Sequence, residues 1–186
     1  MSYCDYANAL PADTDNPNKH YHDHAYGFPI EDDNELFERL VLEINQAGLS
    51  WTLILKKQVA FQTAYSGFDI AAVAAYGETD RERLLADAGI VRNRLKVDAA
   101  IYNARQILLL QQQYGSFKQW LDAHHPRSKE AWVKLFKKQF KFVGGEIVNE
   151  FLMSTGYLPG AHEPGCPVYE KTLAAKPKWS EAKLEA

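Results

Sequence analysis

At 186 residues, 46% of them hydrophobic and 24% charged, the chain is long enough to bury one core and short for two, so a single domain spanning residues 1–186 is expected. No run approaches eighteen apolar residues and no basic segment leads into an apolar one, which speaks against a membrane partner and points to the cytoplasm. A net charge of −3 gives no bulk sign of a nucleic-acid binder, and two cysteines far apart in the chain are too few for a disulfide framework.

The segment from Leu10 to Pro17 is rich in Pro, Asn and Asp and reads as a linker. Beyond it the pattern is helical. Leu36, Phe37, Leu40, Val41 and Ile44 recur with a period near 3.6, and Ser50 is placed to cap a helix through Trp51, Ile54, Leu55 and Val59. Asp69 can cap a short helix reaching Tyr76. Further helices are expected over Asp80–Ala88, Asn93–Gln113, Ser116–Ala123, Lys129–Lys138 and Gly144–Ser154. No alternating strand pattern appears, so the predicted class is all-α. The Lys- and Pro-containing tail after about residue 170 is expected to be peripheral.

Between two of these helices, Gly89 sits where a helix stop with positive φ is expected, with the next helix beginning within about four residues. Ile90 and Val91 can turn inward as a plug, while Arg92, Arg94 and Lys96 surround the opening amides of the second helix. A phosphate would suit such a site. An ordinary helix–helix corner is the competing reading. Basic residues also gather at Lys56 and Lys57 and from Lys134 to Lys141, as either solvated helix faces or a phosphate-tracking surface.

Two Cys/His pairs stand near the two ends, Cys4 with His22 and His162 with Cys166, each in a stretch that reads as loop. Together they form a donor set suited to tetrahedral zinc with no position left for water, hence structural. Unrelated surface residues are the alternative, and His20, His24, His124 and His125 offer competing imidazoles. Glu43 interrupts the apolar stripe beside Leu40, Val41 and Ile44, and a carboxylate there needs a partner or a ligand. Tyr6, Tyr21, Tyr26 and Trp51 are available to stack on a planar base, or simply to fill a core.

These residues resemble one family, the DNA-3-methyladenine glycosylase I group of zinc-containing helix-hairpin-helix glycosylases. The matching stretches are Tyr21-His22-Asp23 with Tyr26-Gly27, Leu42-Glu43 with Gln46-Ala47-Gly48-Leu49-Ser50-Trp51, and Leu55-Lys56-Lys57. They continue with Asp87-Ala88-Gly89-Ile90, Arg92 and Arg94, Lys137-Lys138, Phe140-Lys141-Phe142-Val143-Gly144, and His162 with Cys166. The resemblance implies one zinc ion held by Cys4, His22, His162 and Cys166, tying the two ends of the chain together. It implies removal of an alkylated purine, 3-methyladenine above all, from double-stranded DNA by base flipping. Glu43 would accept hydrogen bonds from the flipped base, with Tyr21 and Trp51 at its faces and weaker assignments for Tyr6 and Tyr26, where the family often has tryptophan. Gly48 and Leu49 would fill the gap left in the DNA. A hairpin from Asp80 to about Gln113, through Gly89, Arg92, Arg94 and Lys96, would grip the backbone.

In that family's wider class an aspartate often follows the hairpin, but here the corresponding loop reads Tyr114-Gly115-Ser116-Phe117. Catalysis is therefore expected to rest on a preorganised pocket with water as nucleophile, without a lyase step and without a nucleotide cofactor, in a monomer. Asn18, Gly145, Glu146 and Asn149 depart from the family pattern, as do Tyr6 and Tyr26, and put the lesion range in question. A non-catalytic damage-sensing module on the same scaffold is the alternative, favoured if Glu43 is locked in an internal ion pair with no base-sized pocket.

Overall fold

The organising element is a helix buried almost all round. In the computed structural model, which describes residues 2–181, Asp33–Gln46 forms α3 with Leu36, Phe37, Leu40, Val41, Leu42 and Ile44 all buried, and with Arg39, Glu43 and Asn45 buried beside them. A helix with no solvated face must be enclosed by others. The remaining helices are α1 (Tyr3–Asn8), α2 (Pro17–His24), α4 (Trp51–Lys56), α5 (Gln58–Ala64), α6 (Ile70–Ala74) and α7 (Glu78–Ala86). They continue with α8 (Arg94–Tyr114), α9 (Phe117–His124), α10 (Lys129–Gln139), α11 (Gly145–Ser154), α12 (Tyr169–Ala174) and α13 (Lys178–Glu181). Helices α4, α6, α8, α9 and α11 all pack on α3. Among the described residues no strand occurs, so the all-α class holds.

Most helix starts follow the sequence signals. Asp32, Ser50, Asp69, Asn93, Ser116 and Ser128 each accept a hydrogen bond from an amide of the first turn, satisfying a donor that would otherwise lack a partner. Asp33 adds a long-range cap. Its carboxylate receives the backbone N–H groups of Phe117 (2.8 Å) and Lys118 (3.0 Å) and the Gln111 side-chain amide (2.7 Å), fastening the start of α9 to the start of α3.

Several expectations are corrected. Cys4 and His22 lie on α1 and α2, where loops are expected: Ser2 forms a capping box with Asp5, and Asn16 caps α2 with Pro17 in its first turn. The helix expected from Ser50 through Val59 is broken at Lys57 into α4 and α5, and Val59 is exposed. Helix α7 ends at Ala86, so the joint to α8 covers residues 87–93. Gly89 is not in the left-handed region. Its N–H donates to Asp87 Oδ1 (2.7 Å), and a Cβ there would meet that oxygen at 2.9 Å and Ala60 at 3.1 Å, so glycine serves close approach rather than a positive φ. Lys57 Nζ donates to the Ala88 and Gly89 carbonyls of the same turn.

The tail after residue 170 is not peripheral throughout. Thr172 is buried in α12, and Trp179 N–H donates to the Gly156 carbonyl, docking α13. Of the domain expected over 1–186, residue 1 and residues 182–186 lie outside the described residues.

The Asp33 cap is testable. Asp33→Ala leaves two helix-start amides without their acceptor and is expected to lower unfolding free energy by about 2–3 kcal/mol. Urea denaturation measures it, and a loss below about 0.5 kcal/mol would deny the cap its role.

Candidate active site and metal centre

Cys4 and His22 are held by α1 and α2, and His162 and Cys166 by the loop between α11 and α12. The ligand atoms of Cys4, His22, His162 and Cys166 all lie within 4.8 Å of one another, and all four residues are buried. Cys4 Sγ is 3.6 Å from His162 Nδ1, and Cys166 Sγ is 3.6 Å from His22 Nε2 and 3.8 Å from His162 Nδ1. A tetrahedral ion with metal–sulfur and metal–nitrogen bonds of roughly 2.3 and 2.05 Å requires sulfur–nitrogen edges of roughly 3.6 Å, so the donor set fits one. The outward nitrogens are fixed as well. His22 Nδ1 meets Asp23 Oδ1 at 2.7 Å, and His162 Nε2 meets the Tyr26 carbonyl at 2.7 Å, the kind of support that orients ligating imidazoles. Burial pushes the Cys4 thiol up to about 11, so a thiolate at Cys4 calls for a neighbouring cation. The other four histidines take no part in this cluster.

Against this clasp stands a cavity of about 380 Å³, lined by Tyr3, Tyr21, Tyr26, Trp51, Gln46, Glu43, Glu146 and Glu150. That is the size range of small-ligand pockets. The rings form a continuous wall, Tyr21 to Trp51 at 5.1 Å, Tyr21 to Tyr26 at 5.5 Å and Tyr3 to Tyr26 at 5.4 Å between centroids. Among the described residues no lysine or arginine lines it. An aromatic wall with carboxylates suits a flat cation. The Trp51 Nε1–H is buried without a hydrogen-bond partner.

Glu43 is 3% exposed, and no donor among the described residues makes a hydrogen bond or ion pair with its carboxylate. The neighbouring Arg39 guanidinium is spent elsewhere, donating to the Tyr21 hydroxyl and the Ser154 carbonyl at 3.2 Å each. Burial is the largest influence on Glu43 and raises its pKa to about 8; Arg39 pulls it down and Glu150 pushes it up. Burial also raises Tyr21, Tyr26 and Tyr3, which stay neutral phenols.

A larger cleft of about 430 Å³ lies across Tyr21 and Trp51 from this one. Of its two carboxylates, Glu35 is exposed to solvent and Glu38 already takes side-chain amides from Gln58 (2.8 Å) and Gln62 (2.9 Å), so it offers no comparable buried, unpaired group.

The expected site residues divide. Glu43, Tyr21, Tyr26 and Trp51 share the cavity. Tyr6 does not line it and instead stacks on Tyr3, ring to ring at 6.4 Å. Tyr3 takes the lining position, oriented by a hydrogen bond from its hydroxyl to the Asn18 carbonyl (3.2 Å). Adjacency to Cys4 is the only sequence clue to it. Asn18 is buried and donates to Thr52 Oγ1 (3.0 Å), joining α2 to α4. Glu150, also missed, projects from α11 and receives the Tyr26 hydroxyl at 3.2 Å.

Gly48, with φ of +80°, and the partly exposed Leu49 form the turn after Gln46, at the cavity's edge. Arg92 is exposed on the α7–α8 joint and Arg94 at the first position of α8, within 3.5 Å of Glu78. Lys96 departs from expectation. It is 5% exposed, and its Nζ donates to the Asn45 (2.9 Å) and Ala47 (2.6 Å) carbonyls, so its charge holds the Gly48–Leu49 turn and is not presented to a phosphate. Charge alone suggested the surface role; burial decides otherwise.

The raised Glu43 pKa has a signed consequence. The stability it contributes is intact below the ordinary value of 4.5 and lost as pH rises through about 8. Glu43→Gln is therefore expected to melt above the parent at pH 9, by about 2–4 kcal/mol, with the gap closing at pH 5. Thermal melts across that range test it; a gap independent of pH would contradict the buried-charge account.

Comparison with known proteins agrees with this geometry. Residues 12–132 match the family model described as methyladenine glycosylase. The chain is 38% identical to DNA-3-methyladenine glycosylase 1 of Escherichia coli strain K12, over 80% of this chain and 89% of that protein. It is 30% identical to DNA-3-methyladenine glycosylase of Haemophilus influenzae, over 79% and 89%. A solved structure of 3-methyladenine DNA glycosylase I from Staphylococcus aureus, concerned with 3-methyladenine recognition, superposes with a TM-score of 0.77 at 31% identity, covering 90% of this chain and 96% of that one. The chain belongs to the methyladenine glycosylase family.

Proposed function

We propose that this protein is a base-excision glycosylase that hydrolyses the N-glycosidic bond of alkylated purines in double-stranded DNA, 3-methyladenine foremost. The observation that carries this reading is Glu43, a buried carboxylate without a protein partner in an aromatic cavity free of cationic side chains. An adenine alkylated at N3 is a planar cation with an exocyclic amino group. It supplies what Glu43 lacks, a donor and a positive charge, whereas an unmodified adenine brings no charge to offset desolvation of the carboxylate. Glu43's freedom from an internal ion pair argues against the non-catalytic damage sensor.

The base leaves as a neutral molecule, so little proton assistance is required. Tyr21, Tyr26, Tyr3 and Trp51 enclose it, Glu43 accepts from its amino group, and water is the nucleophile. On the DNA side, Leu49 and Gly48 fill the vacated position in the stack, while Arg92, Arg94 and the amides opening α8 take phosphates. We assign the buried Cys4/His22/His162/Cys166 centre to one structural zinc ion. Zinc would supply a fixed tetrahedral junction there, with all four positions taken by protein. No helix among the described residues is long and apolar enough to cross a membrane.

Incubation with methylated duplex DNA, followed by identification of released bases, tests the activity. Release of 3-methyladenine is expected; release of none would overturn the enzyme reading, and release of another base alone would reassign the substrate. Glu43→Gln is expected to weaken base binding by roughly 1.5–3 kcal/mol, the worth of a charge-assisted hydrogen bond; unchanged excision and unchanged binding would refute its role. Chelation is expected to lower the melting temperature before it alters chemistry. Complete metal removal that leaves stability intact while abolishing excision would refute a structural zinc.

A further inference from the structure

We infer that Glu150 is a second catalytic carboxylate of this site, acting on the sugar and the attacking water rather than on the base. The assignment rests on the glycosylase reading above.

Three carboxylates line the cavity at three depths. Glu43 is buried at the floor, Glu150 is half-buried, and the Glu146 side chain is 86% exposed at the rim, where Lys129 reaches it at 3.2 Å. Glu146 and Glu150 stand one turn apart on α11 and so share one face of it. A base bound deeply enough to engage Glu43 directs its glycosidic bond back toward the rim. Glu150, intermediate in exposure between Glu43 and Glu146, is the carboxylate this reading places along that exit.

Its geometry leaves it free to act. The Tyr26 hydroxyl donates to Oε2 at 3.2 Å and fixes the head group, while no donor among the described residues reaches Oε1. Tyr26 is itself anchored through its carbonyl to His162, so the carboxylate is held through a rigid wall. Partial burial raises the Glu150 pKa, which favours accepting a proton more than a fully solvated carboxylate would.

The step balances without any further reagent. The C1′–N bond breaks and its electron pair leaves with the base, cancelling the base's positive charge and placing charge on C1′ and the ring oxygen. The Glu150 carboxylate faces that charge and stabilises it in a site of low dielectric. Water adds its oxygen to C1′, and its proton passes to Oε1 and then to solvent, regenerating the carboxylate. Products are the neutral base, the abasic sugar and one proton.

The experiment uses the full chain as isolated, methylated duplex DNA with enzyme in excess, and free 3-methyladenine as a separate binding probe. Glu150→Gln keeps shape and removes charge. It is expected to lower the maximal single-turnover rate by about 30- to 100-fold while affinity for free 3-methyladenine stays within about threefold. Glu150→Asp is expected to recover part of the rate. If Glu150→Gln does not fold, Glu150→Ser serves for the same two measurements. An unaltered single-turnover rate overturns the assignment, and so does a rate loss matched by an equal loss of free-base affinity, which would make Glu150 a base-reading residue. A parent protein that releases no base overturns the glycosylase reading itself; an active parent with an unaffected Glu150→Gln variant overturns this assignment alone.

Discussion

The clasp of Cys4, His22, His162 and Cys166 is the constraint on which the rest of the site depends, because every tyrosine of the cavity is coupled to it. Tyr3 precedes Cys4 and Tyr21 precedes His22, while the Tyr26 carbonyl binds the far nitrogen of His162. A short helix such as α1 is marginal by itself in water. Gathering four buried donors, proposed here to bind zinc, therefore fastens α1 and α2 against the body of the protein and sets the aromatic wall at the same time. The donor cluster and the aromatic cavity are two faces of one construction.

The opposite wall carries the electrostatic cost. Glu43 gives up hydration without gaining a protein partner, and Arg39, the nearest cation, is engaged by Tyr21 and Ser154. Burial keeps the group largely protonated below about pH 8, and its charged form destabilises the free protein until a cation fills the cavity. Under the proposed function, selectivity for a charged base over a neutral one would then need no dedicated steric filter, since the same desolvated carboxylate would penalise one and welcome the other.

Much of this was legible in the sequence. The long periodic helices α3, α8, α10 and α11 follow from apolar spacing, and the polar caps of the first three from Asp, Asn and Ser at their starts, and the clasp set follows from family spacing. What escaped did so for physical reasons. Helices α1 and α2 are short and polar, held by tertiary contacts rather than by propensity. Glu150 looks like one more acid on a helix, and only the fold turns that face toward a cavity. Gly89 is set by the neighbouring Asp87 and Ala60, contacts invisible to a turn rule. Lys96 shows the same limit from the other side, since a basic cluster in sequence does not distinguish a side chain offered to solvent from one enclosed.

The enclosed ammonium of Lys96 makes two distant pieces of chain share one frame of reference. It springs from the first turn of α8, just past Arg92 and Arg94, and grips the carbonyls on either side of Gln46, immediately before Gly48 and Leu49. Helix and turn cannot slide independently. In the proposed complex, the spacing between the phosphates held by the hairpin and the step entered by Leu49 is therefore a property of the protein, like the jaw setting of a caliper. The enzyme would carry its own measure of the nucleotide interval and leave the duplex to conform to it.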